Sequence, residues 1–177
     1  MLQTHILPPT EPSSPRFRDA LAVRIAVFVD EQHIPLELEV DAEDSRSWHW
    51  VVYEGTSPVA TARLVPPPAV EPGGQHEEPR VRIGRVAVVK AYRGRGIASQ
   101  LVQTIVSWAQ MHADRLEAGT GARWKGLVMV HSQVPVQGVY GRVGFVRDEA
   151  MGQWEEDGIA HVGMWRRVEV GGTKRGQ

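Results

Sequence analysis

The chain has 177 residues, 42% hydrophobic and 23% charged, which suits one globular domain and excludes wholesale disorder. Lys plus Arg count 20 against 21 for Asp plus Glu, a formal charge of -1, so the composition does not ask for nucleic acid as a partner. With no Cys, a disulfide scaffold and thiol chemistry are both ruled out.

Residues 1–15 carry Pro8, Pro9, Pro12 and Pro15 and read as a Pro-rich segment without the order of a signal peptide. No run approaches the roughly 18 apolar residues of a membrane span. The expectation is a soluble, cytoplasmic protein; Lys174 and Arg175 are too few for a nuclear localisation patch.

Phe17, Leu21, Ile25 and Phe28 recur at helical spacing and predict an amphipathic helix ending near Asp30. The acids Glu37, Glu39, Asp41, Glu43 and Asp44 follow in a stretch read as an ordered, solvated loop. Trp48–Tyr53 and Val59–Val65 flank a turn at Gly55–Pro58 and predict a hairpin, with Trp48 and Trp50 in the core. Pro-rich residues 66–79 predict a long loop, and Val81–Val89 a long strand. Ile97, Leu101, Ile105, Trp108 and Met111 form the buried stripe of the next helix. Trp124–Val130 reads as a central strand, Val134–Gly141 as a short helix, and strands begin at Gly144 and at Ile159, the last running to Val168. This order predicts an α/β (α+β mixed) domain over residues 16–168, a mixed sheet with helices on its faces, and a flexible tail over 169–177.

The most informative stretch joins the long strand to the second helix through Arg93, Gly94, Arg95 and Gly96, followed by Ile97, Ala98 and Ser99. Such a turn aims free backbone N–H groups and the positive end of a helix at one point, which suits an anion such as pyrophosphate. Charge agrees: from Arg80 to His112 there is no acid, while Arg80, Arg82, Arg85, Lys90, Arg93 and Arg95 are present. A bare tight turn with solvated arginines is the bland alternative. The Lys-Ser/Thr of a P-loop and the three spaced glycines of a dinucleotide fold are absent.

Arg93-Gly94-Arg95-Gly96-Ile97-Ala98 resembles the Arg/Gln-x-x-Gly-x-Gly/Ala motif of the GNAT superfamily of acyl-CoA-dependent N-acyltransferases. Val139-Tyr140-Gly141-Arg142-Val143-Gly144-Phe145 resembles its downstream motif, with Val139 where Phe is usual. Within that superfamily the chain is similar to the ElaA-like branch through Arg24, Val27-Phe28-Val29, Glu31-Gln32, Asp41, Asp44 and Glu156-Asp157-Gly158-Ile159 with His161 and Met164. The resemblance implies a mostly antiparallel mixed sheet splayed at the cofactor site, acetyl-CoA as co-substrate, and an N-acetyltransferase acting by direct attack in a ternary complex.

It further implies that the turn from Arg93 to Ser99 holds pyrophosphate, and that Val86, Ala87 and Val88 offer a strand edge to pantetheine. His131 is placed beside the cofactor, and Phe28, Glu31 and Gln32 at the acceptor. Tyr140 matches the family's general acid for the leaving thiolate; the alternative is an aromatic packed beside Phe145. The base is open among Glu31, His161, His131 and a water relay, since imidazoles titrate near neutrality. A small primary amine is favoured as acceptor, with a protein lysine or N-terminus next. A non-catalytic CoA-binding module and an RNA-binding domain are the other readings, and a monomer or homodimer is expected. The seven histidines show no zinc-like pairing, so no metal is expected, and no Gly-x-Ser-x-Gly elbow is present.

Overall fold

The computed structural model describes residues 1–9, 13–68 and 78–171. Its first element is a strand, β1 (Leu2–Leu7), which pairs antiparallel with β2 (Trp48–Glu54). The proline-based reading of 1–15 as a segment apart from the fold is therefore corrected: the prolines begin only after the strand ends. Helix α1 (Pro15–Arg24) starts where Ser14 accepts a hydrogen bond from the Phe17 N–H at 3.1 Å, with Pro15 at the first helical position. It continues through a π-turn over Ile25–Val29.

The predicted hairpin is β2 and β3 (Ser57–Val65), and β4 (Arg80–Val88) lies antiparallel to β3. Helix α2 (Ile97–Met111) and a short α3 (Ala113–Glu117) lead to β5 (Leu127–Gln133). After α4 (Gln137–Gly141) come β6 (Val146–Arg147), β7 (Gln153–Glu156) and β8 (Ile159–Arg167). The sheet runs β1-β2-β3-β4-β5-β8-β6, with β7 also on β8, and β4–β5 is its one parallel pairing among the described residues. The predicted mixed, mostly antiparallel sheet is thus present. The strand β7 was not anticipated from sequence.

Strand alternation assigns the two faces. Trp48, Trp50, Val52, Leu64, Val81 and Ile83 pack under α2, whose Trp108 lies 5.4 Å from both Trp48 and Trp50. Met111, expected in that buried stripe, is the last residue of α2 and is 70% exposed. On the opposite face Phe17 and Ala20 pack with Leu7 and Val51, while Val23 and Val27 pack with Ala87. The end of the chain is docked as far as it is described. The Glu169 carbonyl accepts from Gln110 at 2.9 Å and Val170 packs on the core, against the expected flexible tail; residues 172–177 lie outside the described ones. Of the predicted loop 66–79, residues 69–77 also lie outside; its start is tied by Arg46 to the Pro66 carbonyl at 3.0 Å.

Two features open the middle of the sheet. Arg63 pairs with Gly84 but Thr61 with Ala87, so β4 carries a bulge, and Arg85 within it adopts φ +50. Bulges bend and twist a strand, and the parallel β4–β5 ladder stops at Ile83–Val130 while β5 stays with β8 up to Gln133.

The bulge is held by the acids read as a solvated loop. Instead, Glu39 and Asp44 are each 1% exposed and face buried arginines. Arg24 donates Nε to Glu39 at 2.6 Å and Nη1 to Asp44 at 2.9 Å, and its Nη2 also donates to the Glu39 carbonyl. Arg63 donates Nη1 to Asp41 at 2.6 Å and to Asp44 at 2.7 Å. Arg85 donates Nη2 to the Leu38 carbonyl at 3.1 Å, and its Nε lies 3.3 Å from Glu39. Sequence composition alone could not separate a solvated acidic loop from one whose charges are paired from below.

Burial opposes ionisation of Asp44 and Asp41, but the neighbouring arginines outweigh it and hold both carboxyls below their ordinary range. Buried His49 is shifted down, towards its neutral form, chiefly by desolvation. All three are depressed in the folded state, so their contribution is present above the unfolded values, about 3.9 for Asp and 6.5 for His, and lost as pH falls through the folded ones. The urea midpoint is expected to decline gently below about pH 6.5 and steeply below about pH 4. Asp44→Ala, which strands two buried arginines, is expected to cost about 3–5 kcal/mol at pH 7 in the same assay.

Candidate active site

Where the sheet opens, a cleft of about 880 Å³ passes between β4 and β5 and is lined from both faces. One end is built from backbone. Gly94 and Gly96 both sit at φ +76, and a Cβ on either would touch nothing within 4 Å, so glycine is demanded by the dihedral rather than by crowding. Helix α2 has no side-chain cap, and its first-turn acids are absent. The Gln100 N–H is the first to find a helical acceptor, the Gly96 carbonyl at 3.0 Å. The N–H groups of residues 94–99 have no acceptor among the described residues. Together with the helix dipole they form an anion cradle.

The side chains around the cradle have other work. Arg95 does not line the cleft; its guanidinium lies 4.8 Å from the Tyr92 ring and its Nη2 donates to the Ala91 carbonyl at 3.1 Å. Ser99 donates to the Val139 carbonyl at 3.1 Å, tying α2 to α4. Arg93 donates Nε to the Val88 carbonyl at 2.9 Å and grips Glu31 with both terminal nitrogens, at 2.6 and 2.8 Å. Glu31 is the acid expected near the acceptor. It does not line the cleft, and the Arg93 hydrogen bonds lower its affinity for a proton, which makes it a poor base.

Val86, Ala87 and Val88 line the cleft along the β4 edge that β5 has left unpaired. Ile97, Ala98 and Val139 continue the wall to Tyr140. Tyr140 is 7% exposed, its ring 6.0 Å edge-on from Phe145, and its hydroxyl has no hydrogen-bond partner among the described residues. Burial pushes its phenol well above the ordinary value, so it is protonated at neutral pH. It is both packed beside Phe145 and turned to the cleft.

The other end of the cleft, on the α1 face, is built from side chains. Phe28, Gln32 and Ile34 face His131, Gln133 and His161. Gln32 and Gln133 exchange amide hydrogen bonds of 3.2 and 2.9 Å across the gap. His161 has Nδ1 at 2.8 Å from the Ile159 carbonyl; a carbonyl only accepts, so Nδ1 carries hydrogen and Nε2 holds the lone pair of the neutral ring. His131 lies edge-on to Trp154 at 4.9 Å, with Nδ1 3.7 Å from the Glu156 carboxylate. Burial, the largest cause, lowers its pKa. The neutral ring is favoured near pH 7.

Sequence reasoning missed Arg82 and Gln133 as cleft residues, and Trp154 beside them. A signal for Arg82 exists in hindsight: it alternates with Val81 and Ile83, the core-facing residues of β4, so it lies on the α1 face. Gln133 and Trp154 gave none, being polar or aromatic residues at strand ends. No cluster of His or acids able to hold a metal occurs among the described residues, and no helix there is long and apolar enough to cross a membrane.

Comparison with known proteins agrees with this geometry. Protein ElaA of Escherichia coli is 31% identical over 150 residues, 84% of this chain and 85% of that one. The uncharacterized N-acetyltransferase YjcF of Bacillus subtilis is 30% identical over 90 residues, 51% of this chain and 57% of that one. The crystal structure of an acyl-CoA N-acyltransferase from Pseudomonas aeruginosa superposes with TM-score 0.68 at 30% identity, covering 94% of this chain and 99% of that one. Residues 16–145 match the acetyltransferase (GNAT) family, and the chain belongs to that family, close to its ElaA-like branch.

Proposed function

We propose that the protein transfers the acetyl group of acetyl-CoA to a primary amine by direct attack in a ternary complex, with a small-molecule acceptor. The observation that carries this reading is the meeting, in one cleft, of an uncapped helix N-terminus, an unpaired strand edge, a protonated buried phenol and a neutral imidazole. The N–H groups of residues 94–99 hold the pyrophosphate, and the Val86–Val88 edge hydrogen-bonds the extended pantetheine arm. A backbone N–H near Val88 faces the thioester oxygen as charge develops on it.

On the acceptor side His131 takes one proton from the ammonium group and passes it to solvent. The freed amine lone pair forms a C–N bond at the thioester carbon, and collapse of the intermediate breaks the C–S bond. Tyr140 gives its proton to the departing sulfur and recovers one from the new amide nitrogen. An ammonium ion and a thioester thus become an amide, a thiol and one released proton. His161, with its Nε2 lone pair directed by the Ile159 contact, belongs to the acceptor wall. The acceptor shares this cleft of about 880 Å³ with the cofactor, and the space left to it favours a small amine over a protein side chain.

Titration calorimetry with acetyl-CoA is expected to give saturable binding that weakens tenfold or more in Gly96→Asp, since a carboxylate enters the cradle and the φ +76 position is strained. Absence of binding to the folded wild type would remove the reading. Tyr140→Phe is expected to lower kcat about 10²-fold or more while leaving the acetyl-CoA Kd within about twofold. Unchanged turnover would make Tyr140 a packing residue, and a non-catalytic module would turn over nothing in either form. Because the base must be neutral and burial lowers the His131 pKa, kcat/KM is expected to rise with pH and to level below the ordinary imidazole value of about 6.5, and His131→Ala to flatten that limb.

A further inference from the structure

Five arginines line the cleft, and four are engaged. Arg63 binds Asp41 and Asp44, Arg85 binds the Leu38 carbonyl and Asp41, Arg93 binds Glu31 and the Val88 carbonyl, and the Arg142 Nε reaches Ser99 at 3.4 Å. Arg82 is the exception. It is half-buried, and no hydrogen bond, ion pair or ring contact joins it to another described residue. A guanidinium drawn partly out of water without a partner is unfavourable, and the fully buried arginines described, Arg24 and Arg63, are each paired with carboxylates.

Its position is specific. Arg82 pairs with Met129 across the parallel ladder, one step before that ladder ends, and shares the α1 face with His131, two residues further along β5. With strands about 4.8 Å apart and a rise of about 3.3 Å per residue, the two backbones stand roughly 8 Å from each other at that point. The intervening position on β4 is Gly84, where a Cβ would meet nothing within 4 Å, so the floor between them is open. Hydrophobic walls flank it, with Phe28 on one side and Trp154 against His131 on the other. The acids at the mouth, Glu156 and Asp157, sit at the β7–β8 turn and do not reach Arg82 in any ion pair.

We propose that Arg82 sets acceptor specificity by holding the carboxylate of an amino-carboxylic acid whose amino group lies at His131. This rests on the acetyltransferase reading above and names the substrate class for that site. The planar guanidinium fork matches a carboxylate bidentately. One small molecule with an anion at one end and an amine a few bonds away spans the floor from Arg82 to His131. Binding also neutralises the positive field that Arg82 exerts on His131, so the acceptor restores basicity to the group that deprotonates it.

The test pairs amino-carboxylic acids (α-, β- and γ-amino acids and dipeptides) with their carboxamides and with plain alkylamines. Thiol release is followed at saturating acetyl-CoA, while acetyl-CoA binding is measured separately by calorimetry. The expected result is at least one acid with kcat/KM tenfold or more above its amide. Arg82→Gln is then expected to raise the KM for that acid tenfold or more and to erase the preference. Arg82→Lys recovers part of it, and the acetyl-CoA Kd of both variants stays within about twofold of wild type. Amides or alkylamines serving as well as acids, no acid serving at all, or an unchanged KM in Arg82→Gln would each overturn the proposal while the acetyltransferase reading stands on its cofactor binding. Failure of the wild type to bind acetyl-CoA would overturn both.

Discussion

The buried ion network under the first helix is the interaction on which the rest depends. Arg24 comes from α1, Glu39, Asp41 and Asp44 from the following loop, Arg63 from β3 and Arg85 from the bulge of β4. Burying so many charges costs several kcal/mol of desolvation per ion, and apolar residues of similar size are often at least as stabilising. What the charges supply instead is direction: each guanidinium fork meets carboxylates or carbonyls in only one arrangement. Arg85 shows why direction matters here. Its φ of +50 is unfavourable for a side-chain-bearing residue, and a bulge is a local disruption of the ladder. The contacts to Leu38, Glu39 and Asp41 pin that conformation, the bulge turns β4 from β5, and the cleft exists because of it.

The two ends of the cleft were unequally legible in the sequence, for a physical reason. The anion cradle is made of main chain, and main chain constrains sequence through its dihedrals. Two glycines at positive φ before an apolar helix leave a mark that spacing can detect. The acceptor end is made of side chains from the segment that follows α1 and from β4, β5, β7 and β8, brought together only by tertiary structure. His131 and His161 could be named as titratable groups near neutrality, but nothing local told them from surface histidines. Glu31 shows the opposite error. It sits where an acceptor-site acid is expected, yet Arg93 has already claimed it.

The fold divides along the same line. The β2–β3 hairpin and α2 carry strong alternation or helical periodicity, and the structure agrees with both to within a few residues. Strand β1 has no such signal: its residues Leu2–Leu7 alternate only partly, and the prolines behind them dominated the reading. Strand β7 is four residues long and mostly exposed, below what periodicity can resolve. The acidic loop was misjudged because composition counts charges without their partners, and the partners here are arginines up to 46 residues away in the chain.

The proposed acyl transfer brings a thioester and an amine to one point, and here the opened sheet supplies the meeting place. In the proposed reaction one group gives a proton to sulfur and another takes a proton from nitrogen, two atoms that become bonded to a single carbonyl carbon. In this fold Tyr140 stands with the α2 layer, and His131 faces the α1 layer. Were β4 and β5 paired along their whole length, a ladder of hydrogen bonds about 4.8 Å wide would separate the two. Opening the ladder past Ile83 and Val130 lets a donor laid along one face meet an acceptor seated on the other. It also leaves the β4 edge with unpaired amides at the place where a negative oxygen forms. On the proposed reaction, the defect in the sheet is therefore the passage between the two substrates and a source of electrostatic stabilisation at once.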